Sequence, residues 1–314
     1  MTPSPSAISR RALLAAAAAW SAAGCAGESP SPSPAPTTEE KGPASSPSPT
    51  TTPDGGDHEP LVRLERRFDA RLGVYALATG TGATIAHRAD ERFAFCSTFK
   101  GLAAAAVLDR NPMSHLDTLV TYSRDDLMEH APLTRKHVDT GMTIRQLCDA
   151  AIRYSDGTAG NLLVRELGGP QELTRYARGL GDTVTRMDRV EPDITQAIPD
   201  DPRDTSSPRA MGEDYRRIVL GDVLPADKRA FLRDLLERSV TGDQRVRAGL
   251  PQGWRVADKT GTGAYGTLND FAIVWPPDTD PLVIALMSSK AEQDADRDQA
   301  LLAEAAAYVA ETLV

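Results

Sequence analysis

Strand-like segments sit only near the two ends of the globular part of this chain, and that placement limits the possible folds more than any other feature. Residues 72–79 and 83–87 read as two strands, with Gly80-Thr81-Gly82 as the hairpin turn between them. Residues 254–262, 270–275 and 282–288 read as three more near the C terminus, the last two parted by Pro276-Pro277-Asp278. The middle reads as helix. Residues 102–108 are apolar on every face, which marks a buried helix. Thr143 and Gln146 form a capping box ahead of Ile144, Leu147, Cys148 and Ala151 at helical spacing, and Gly157 lies just past that helix. Further helices are expected at 61–70, 162–167, 171–180, around Tyr215, at 227–238 and at 291–313. This order predicts an α/β (α+β) sandwich: an antiparallel five-stranded sheet formed from both termini and flanked by helices, with an inserted all-α domain. The sheet part covers about 60–90 and 240–314, the helical part about 91–239, and a cleft between them is the favoured ligand site.

Composition removes several function classes. The 314 residues carry a net charge of −9, with a pI near 5.1, so a nucleic-acid partner is not expected. No apolar run reaches the roughly 18 residues of a spanning helix. With three cysteines and five histidines, none at zinc-ligand spacing, neither a metal nor a cofactor is expected. Residues 1–25 read as a signal peptide, in which Arg10-Arg11 followed by leucines has the look of a twin-arginine signal. The run closes on Ala22-Ala23-Gly24-Cys25, similar to a bacterial lipoprotein box with Cys25 as the lipidated residue; a plain small-residue cleavage site is the alternative. Residues 26–59, rich in Ser, Pro and Thr, suit an extended tether, and the folded part should begin near Pro60.

The candidate chemistry lies on three short motifs and a loop. Ser97 and Lys100 stand at i and i+3 on one helix face, so the ammonium can reach the hydroxyl. Ser97 opens the helix, where backbone N–H groups favour negative charge, and burial of Lys100 would lower its pKa and suit it as a base. Ser155-Asp156-Gly157 follows, and Lys259-Thr260-Gly261 with Thr262-Gly263 comes last, on a strand. Residues 187–208 are rich in Asp, Pro and Thr without a period, and a loop that long in a compact domain is usually functional.

The three motifs in this order resemble the signature of class A serine β-lactamases and penicillin-binding proteins. The resemblance to a class A β-lactamase runs from about residue 60 to the end. Arg186-Met187-Asp188-Arg189-Val190-Glu191-Pro192 and Arg203-Asp204-Thr205 look like the two ends of that family's Ω-loop, about 186–204. The resemblance implies hydrolysis of penicillins and cephalosporins through an acyl-enzyme. It makes Ser97 the nucleophile, and Lys100 and Glu191 the proton acceptors, leaving open which serves acylation. Ser155 relays a proton to the leaving nitrogen, Lys259 supports Ser155 and the substrate carboxylate, and Glu191 activates the deacylating water. The Ser97 and Thr262 N–H groups form the oxyanion hole, Thr260 and Gly261 line the substrate site, Arg189 pairs with Asp204, and Asn161 braces the glutamate. A monomer is implied, with a small-molecule β-lactam as its partner.

The chain also departs from that pattern. Gly157 replaces an Asn that contacts the substrate side chain. Thr195 replaces an Asn that holds the water, and His130 takes the place of an aromatic at the cleft. Cys148 has Ala104 where many relatives have its disulfide partner, and Cys96 faces Gly263 in the pattern, so both thiols are expected to be free. The usual carboxylate-binding arginine is missing at Leu268. A subset of the family carries one upstream, at the place of Arg245, with Arg247 as rival. In a helix only one of the two would line the cleft, whereas in an extended segment they would share a face. The alternatives to hydrolysis are a D,D-peptidase or penicillin-binding protein, which lacks the loop glutamate, and a lipoprotein that binds β-lactams without turnover.

Overall fold

The computed structural model describes residues 58–314; the expectations for the signal segment, the tether and Cys25 lie outside the described residues. Helix α1 (Glu59–Phe68) has Pro60 in its first turn and stops at Asp69, whose φ of 45° breaks the helical path. Strands β1 (Arg71–Ala78) and β2 (Thr84–His87) follow, and β3 (Arg255–Thr262), β4 (Leu268–Trp275) and β5 (Leu282–Ser289) come from the other end. They form one antiparallel sheet in the order β2-β1-β5-β4-β3, so the two ends of the folded region meet at the β1–β5 pair, with Tyr75 opposite Ala285.

Period-two alternation gives the sheet two apolar faces. Leu72, Val74, Ala76, Val274, Ile284 and Leu286 pack on α1 and on α9 (Gln299–Leu313), through Leu61, Leu64, Leu302 and Val309. Tyr75, Phe271, Ile273, Val283 and Met287 face the helical part. That part comprises α2 (Phe99–Arg110), α3 (Ile144–Arg153), α4 (Gly157–Leu167), α5 (Pro170–Gly179), α6 (Pro208–Val219) and α7 (Ala226–Glu237), with the short α8 (Val246–Gly249) leading back to the sheet. Every residue of α2 from Phe99 to Leu108 is buried, as the all-round apolarity of 102–108 requires, and Lys100 is buried with them. Four consecutive alanines, Ala103 to Ala106, let neighbouring helices approach closely. The capping box at Thr143 and Gln146 forms in both directions.

Two expectations are corrected. Residues 291–298 are not helical. Asp294, Asp296 and Asp298 favour turns, Lys290 Nζ donates to Asp298 Oδ2 at 2.6 Å, and Arg297 Nε donates to the Gly263 carbonyl at 3.0 Å, so the last helix starts at Gln299. Gly157 does not merely trail α3. Asp156 caps a new helix by accepting from Ala159 N at 3.0 Å, and Gly157 is its first residue.

Candidate active site

Ser97 sits in a 3₁₀ turn, Cys96–Thr98, that runs into α2. The turn is held by side chains from β4 and α6. Asn269 Nδ2 donates to the carbonyls of Ala94 (2.9 Å) and Phe95 (3.1 Å), the buried Tyr215 hydroxyl donates to Thr98 O at 2.7 Å, and Cys96 takes a left-handed φ of 47°. The third motif passes so close that a Cβ on Gly261 would lie 2.6 Å from Phe95 O, which accounts for the glycine there. Neither Asn269 nor Tyr215 was singled out from the sequence. Only the register, which sets Asn269 opposite Gly261, identifies the first.

Lys100 is fully buried. Its Nζ donates to Ser97 Oγ at 2.9 Å and to Ser155 O at 2.7 Å, and lies 2.6 Å from Glu191 Oε1. Ser97 Oγ donates to the same Glu191 oxygen at 2.8 Å. The hydroxyl therefore has an amine and a carboxylate within one hydrogen bond, the arrangement that activates a serine. Burial alone would push the Glu191 carboxyl up. The Lys100 ammonium, the hydrogen bonds from Lys100 and Ser97, and Lys259 outweigh it and hold the group below the ordinary carboxylate range.

Glu191 reaches this point because its loop is closed at the base. Arg189 Nε donates to Asp204 Oδ2 at 2.5 Å, while Asp204 Oδ1 accepts from the backbone N–H of Asp188 and of Arg189. Asn161 clamps the glutamate backbone in both directions, Nδ2 to Glu191 O at 2.8 Å and Glu191 N to Oδ1 at 3.0 Å. Thr195 lies half-buried in the same loop. Its hydroxyl donates to Pro192 O, and its own carbonyl accepts from Ala264 N at 2.9 Å, tying the loop to the end of β3, a contact with no sequence signal.

On the opposite wall Lys259 Nζ donates to Ser155 Oγ at 3.0 Å and to Thr260 O at 2.8 Å. Burial, reinforced by the like charge of Lys100, pulls its pKa down to about 7. Thr260 Oγ1 shares a hydrogen bond with Thr241 Oγ1. Asp156 turns away from the cleft and holds Leu133 and Thr134 through their backbone N–H groups.

The two arginines separate clearly. Arg245 sits at the N-terminal boundary of α8 and Arg247 within it, so they do not share a face. Arg245 Nη1 donates to Gly261 O and Asn269 O, and Nη2 to Thr262 Oγ1 at 2.7 Å. Arg247 pairs with the fully buried Asp258 behind the sheet. His130 is exposed at the cleft wall, its ring against Tyr154 O and its carbonyl accepting from Gly157 N. Cys96 and Cys148 are both free and buried, and burial pushes each thiol up to about 12, which keeps them unreactive. Among the described residues no His, Cys, Asp and Glu side chains converge on a possible metal position.

A profile of the β-lactamase enzyme family matches residues 59–313. A β-lactamase of Mycobacterium tuberculosis is 51% identical over 311 residues, covering 97% of both chains. One from Amycolatopsis lactamdurans is 54% identical over 254 residues, 81% of this chain and 84% of the relative. The solved class A β-lactamase from Clostridium kluyveri superposes with a TM-score of 0.80 at 43% identity, covering 81% of this chain and 97% of its own. Agreement of that extent, joined to a serine hydroxyl held between a lysine and a glutamate, establishes that this chain belongs to the β-lactamase family, as a class A serine enzyme that hydrolyses the β-lactam ring.

Proposed function

We propose that Ser97 is the acylated nucleophile and that Lys100 and Glu191 exchange its proton. The convergence of Lys100 Nζ and Glu191 Oε1 on Ser97 Oγ, within 2.9 Å, carries this reading. In acylation Ser97 Oγ bonds to the lactam carbonyl carbon and gives up its proton to this pair. The tetrahedral oxyanion is held by the N–H groups of Ser97 and Thr262. The ring C–N bond then breaks, and the nitrogen takes a proton through Ser155, which Lys259 orients. In deacylation Glu191 takes a proton from water as it attacks the ester, and the proton returns to Ser97 Oγ as the acyl C–O bond breaks. Thr195, whose hydroxyl hydrogen is committed to Pro192 O, serves that water as an acceptor only. Thr260, Thr262, Lys259 and Arg245 receive the substrate carboxylate. Penicillins and cephalosporins are the substrates. Gly157 leaves room beside their side chains, His130 borders the entrance, and the enzyme works as a monomer.

The decisive experiment is mass spectrometry after mixing with a penicillin. Ser97→Ala should form no adduct. Glu191→Ala should hold a stable acyl group on the Ser97 peptide, with turnover lower by about 10²–10⁴-fold, the usual contribution of a general base. Unchanged turnover in Glu191→Ala would favour a mechanism resting on Lys100 alone.

We further propose export through the twin-arginine signal and anchoring by a lipid on Cys25. The support is the small-residue run ahead of that cysteine and the Ser/Pro/Thr-rich tether behind it. Cys25→Ser should move the protein from the membrane fraction to the soluble one; native protein already soluble in an exporting host would refute the anchor.

A further inference from the structure

The two N–H groups of the oxyanion hole proposed above come from elements remote in sequence, Ser97 from the 3₁₀ turn and Thr262 from β3. Their separation decides whether both can reach one oxygen. Among the described residues no hydrogen bond runs directly from residues 94–98 to β3. Strand β3 has little to reach across with. Gly261, which touches the turn, has no side chain, and the hydroxyls of Thr260 and Thr262 are engaged with Thr241 and Arg245.

The link comes from the next strand. Asn269 on β4 stands opposite Gly261 in register and is fully buried. Its Nδ2 donates to Ala94 O at 2.9 Å and to Phe95 O at 3.1 Å, so both amide hydrogens go to the backbone that leads into Ser97. Phe95 O also accepts from Thr98 N at 3.3 Å and from Thr98 Oγ1 at 2.8 Å, which puts it at the centre of the turn. Arg245 Nη1 bridges the Asn269 and Gly261 carbonyls at 2.7 and 2.8 Å and fixes the two strands to each other at this point. A continuous path therefore runs from Ser97 through Phe95 and Asn269 to Gly261 and Thr262.

The asparagine carries a cost that packing does not explain. Its Oδ1 is buried without a hydrogen-bond partner among the described residues, and an orphaned buried acceptor disfavours the fold. The two carbonyls fix which end of the side chain is the amide, because the opposite orientation would set oxygen against oxygen. An apolar side chain of similar size would avoid the penalty, so it is the donor that this position keeps.

We propose that Asn269 is a positioning residue that sets the gap between the Ser97 and Thr262 N–H groups, and hence how strongly the oxyanion hole holds the tetrahedral oxygen. The inference rests on the assignment of those two groups to the hole.

The test compares Asn269→Leu, which removes both polar ends and keeps the bulk, with Asn269→Ala and a control, Asn111→Ala. The control also removes a bond from an amide to a carbonyl, Asn111 Nδ2 to Val107 O at 2.9 Å, but at the far end of α2. One readout is the dissociation constant of an arylboronic acid, whose tetrahedral adduct on Ser97 places an oxygen in the hole. The other is the infrared carbonyl stretch of a penicilloyl group trapped on the enzyme in a Glu191→Ala background. Both report only on folded enzyme, so a variant that folds poorly still gives an answer. Losing an oxyanion donor costs about 10²–10³-fold, and misplacing a reacting group by about 1 Å can cost roughly 10²-fold. Both Asn269 variants should weaken boronic acid binding and lower kcat/KM by a common factor of about 10- to 100-fold. The acyl carbonyl stretch should move to higher frequency as its hydrogen bonds weaken. Asn111→Ala should match the parent in both readouts. A purely structural role would lower the melting temperature and leave the stretch and the boronic acid affinity at parent values, and that result would overturn the proposal. If Glu191→Ala traps no acyl group, the role of Glu191 is wrong and the boronic acid decides alone. If the parent itself binds no boronic acid, the assignment of the hole on Ser97 is wrong, and the proposal falls with it.

Discussion

The two walls of the cleft each bury a lysine completely, and they treat it in opposite ways. On the helical wall Lys100 faces the Glu191 carboxylate at 2.6 Å. On the sheet wall, among the described residues, the Lys259 ammonium hydrogen-bonds to the Ser155 hydroxyl and the Thr260 carbonyl and forms no direct ion pair. Asp258 is its neighbour in sequence, but strand alternation sends that carboxylate to the other side of the sheet, where Arg247 takes it. Burial and the like charge of Lys100 outweigh the more distant Asp258 and Asp270 carboxylates and pull the Lys259 ammonium down to about 7. The difference matches the two tasks proposed above. The helical wall moves a proton between its own groups and is complete without substrate. The sheet wall receives an anion, and the substrate carboxylate supplies the charge that the fold withholds.

Replacing each lysine by methionine should pull the walls apart, and this is the largest effect expected. Lys100→Met leaves Glu191 buried without its cation. Breaking a buried pair from one side typically costs about 3–5 kcal/mol, so the melting temperature should drop steeply along with turnover. Lys259→Met removes a charge that no carboxylate pairs directly. At pH 6 its melting temperature should equal or exceed the parent's. Meanwhile kcat/KM should fall by roughly 10- to 150-fold, the value of a hydrogen bond to a charged group at about 1.5–3 kcal/mol. Calorimetry with steady-state kinetics on both variants is the check. Equal destabilisation would mean that Lys259 has a counter-charge after all, and the contrast between the walls would fail.

Much of this was legible in the chain because local signals agreed with the global fold. The strands carry apolar runs bounded by Gly80-Thr81-Gly82 and Pro276-Pro277-Asp278, and the buried α2 and the capping box at Thr143 need no tertiary knowledge. The motifs around Ser97, Ser155 and Lys259 were readable because their spacing and their helix or strand contexts coincide. What stayed hidden depends on partners remote in sequence. The start of the last helix is decided by Lys290 and Gly263, which hold Asp298 and Arg297 in a turn. The choice between Arg245 and Arg247 depends on where α8 begins, a matter of one residue. The clamp of Asn269 on the nucleophile turn follows only from the register of β3 against β4, and the tie from Thr195 to Ala264 only from loop packing.

A smaller effect sharpens the same contrast through pH. Lys259 holds its proton to about 7 in the folded protein, against 10.5 for an ordinary lysine. Between those values the unfolded chain keeps a proton that the folded one has released, so the penalty this group places on folding is full below about 7 and fades as pH rises toward 10.5. The surrounding groups are Lys100 from the helical wall, Asp258 and Asp270 from behind the strand, and Arg245 beyond its end. Asp270 acts in the opposite sense. Burial and the charge of Asp258 lift its carboxyl to about 8, so it favours folding at low pH and loses that contribution as pH rises toward 8. Because Asp270 is present in both, the difference between parent and Lys259→Met isolates mainly the lysine, and it should favour the parent progressively from pH 7 to 10. Kinetics read the same proton directly, because kcat/KM reports the free enzyme and kcat the complex. As pH passes from 7 to 8 the free Lys259 loses its charge, and KM for a penicillin with a free carboxylate should rise by up to about tenfold. Once bound, the substrate carboxylate restores the ammonium, so kcat should stay level across that range. A penicillin methyl ester, lacking the anion, should show no such rise in KM. A flat KM for the free acid from pH 6 to 9 would mean that Arg245 and the hydroxyls of Thr260 and Thr262 hold the carboxylate without Lys259, and the sheet wall would then be complete without substrate too.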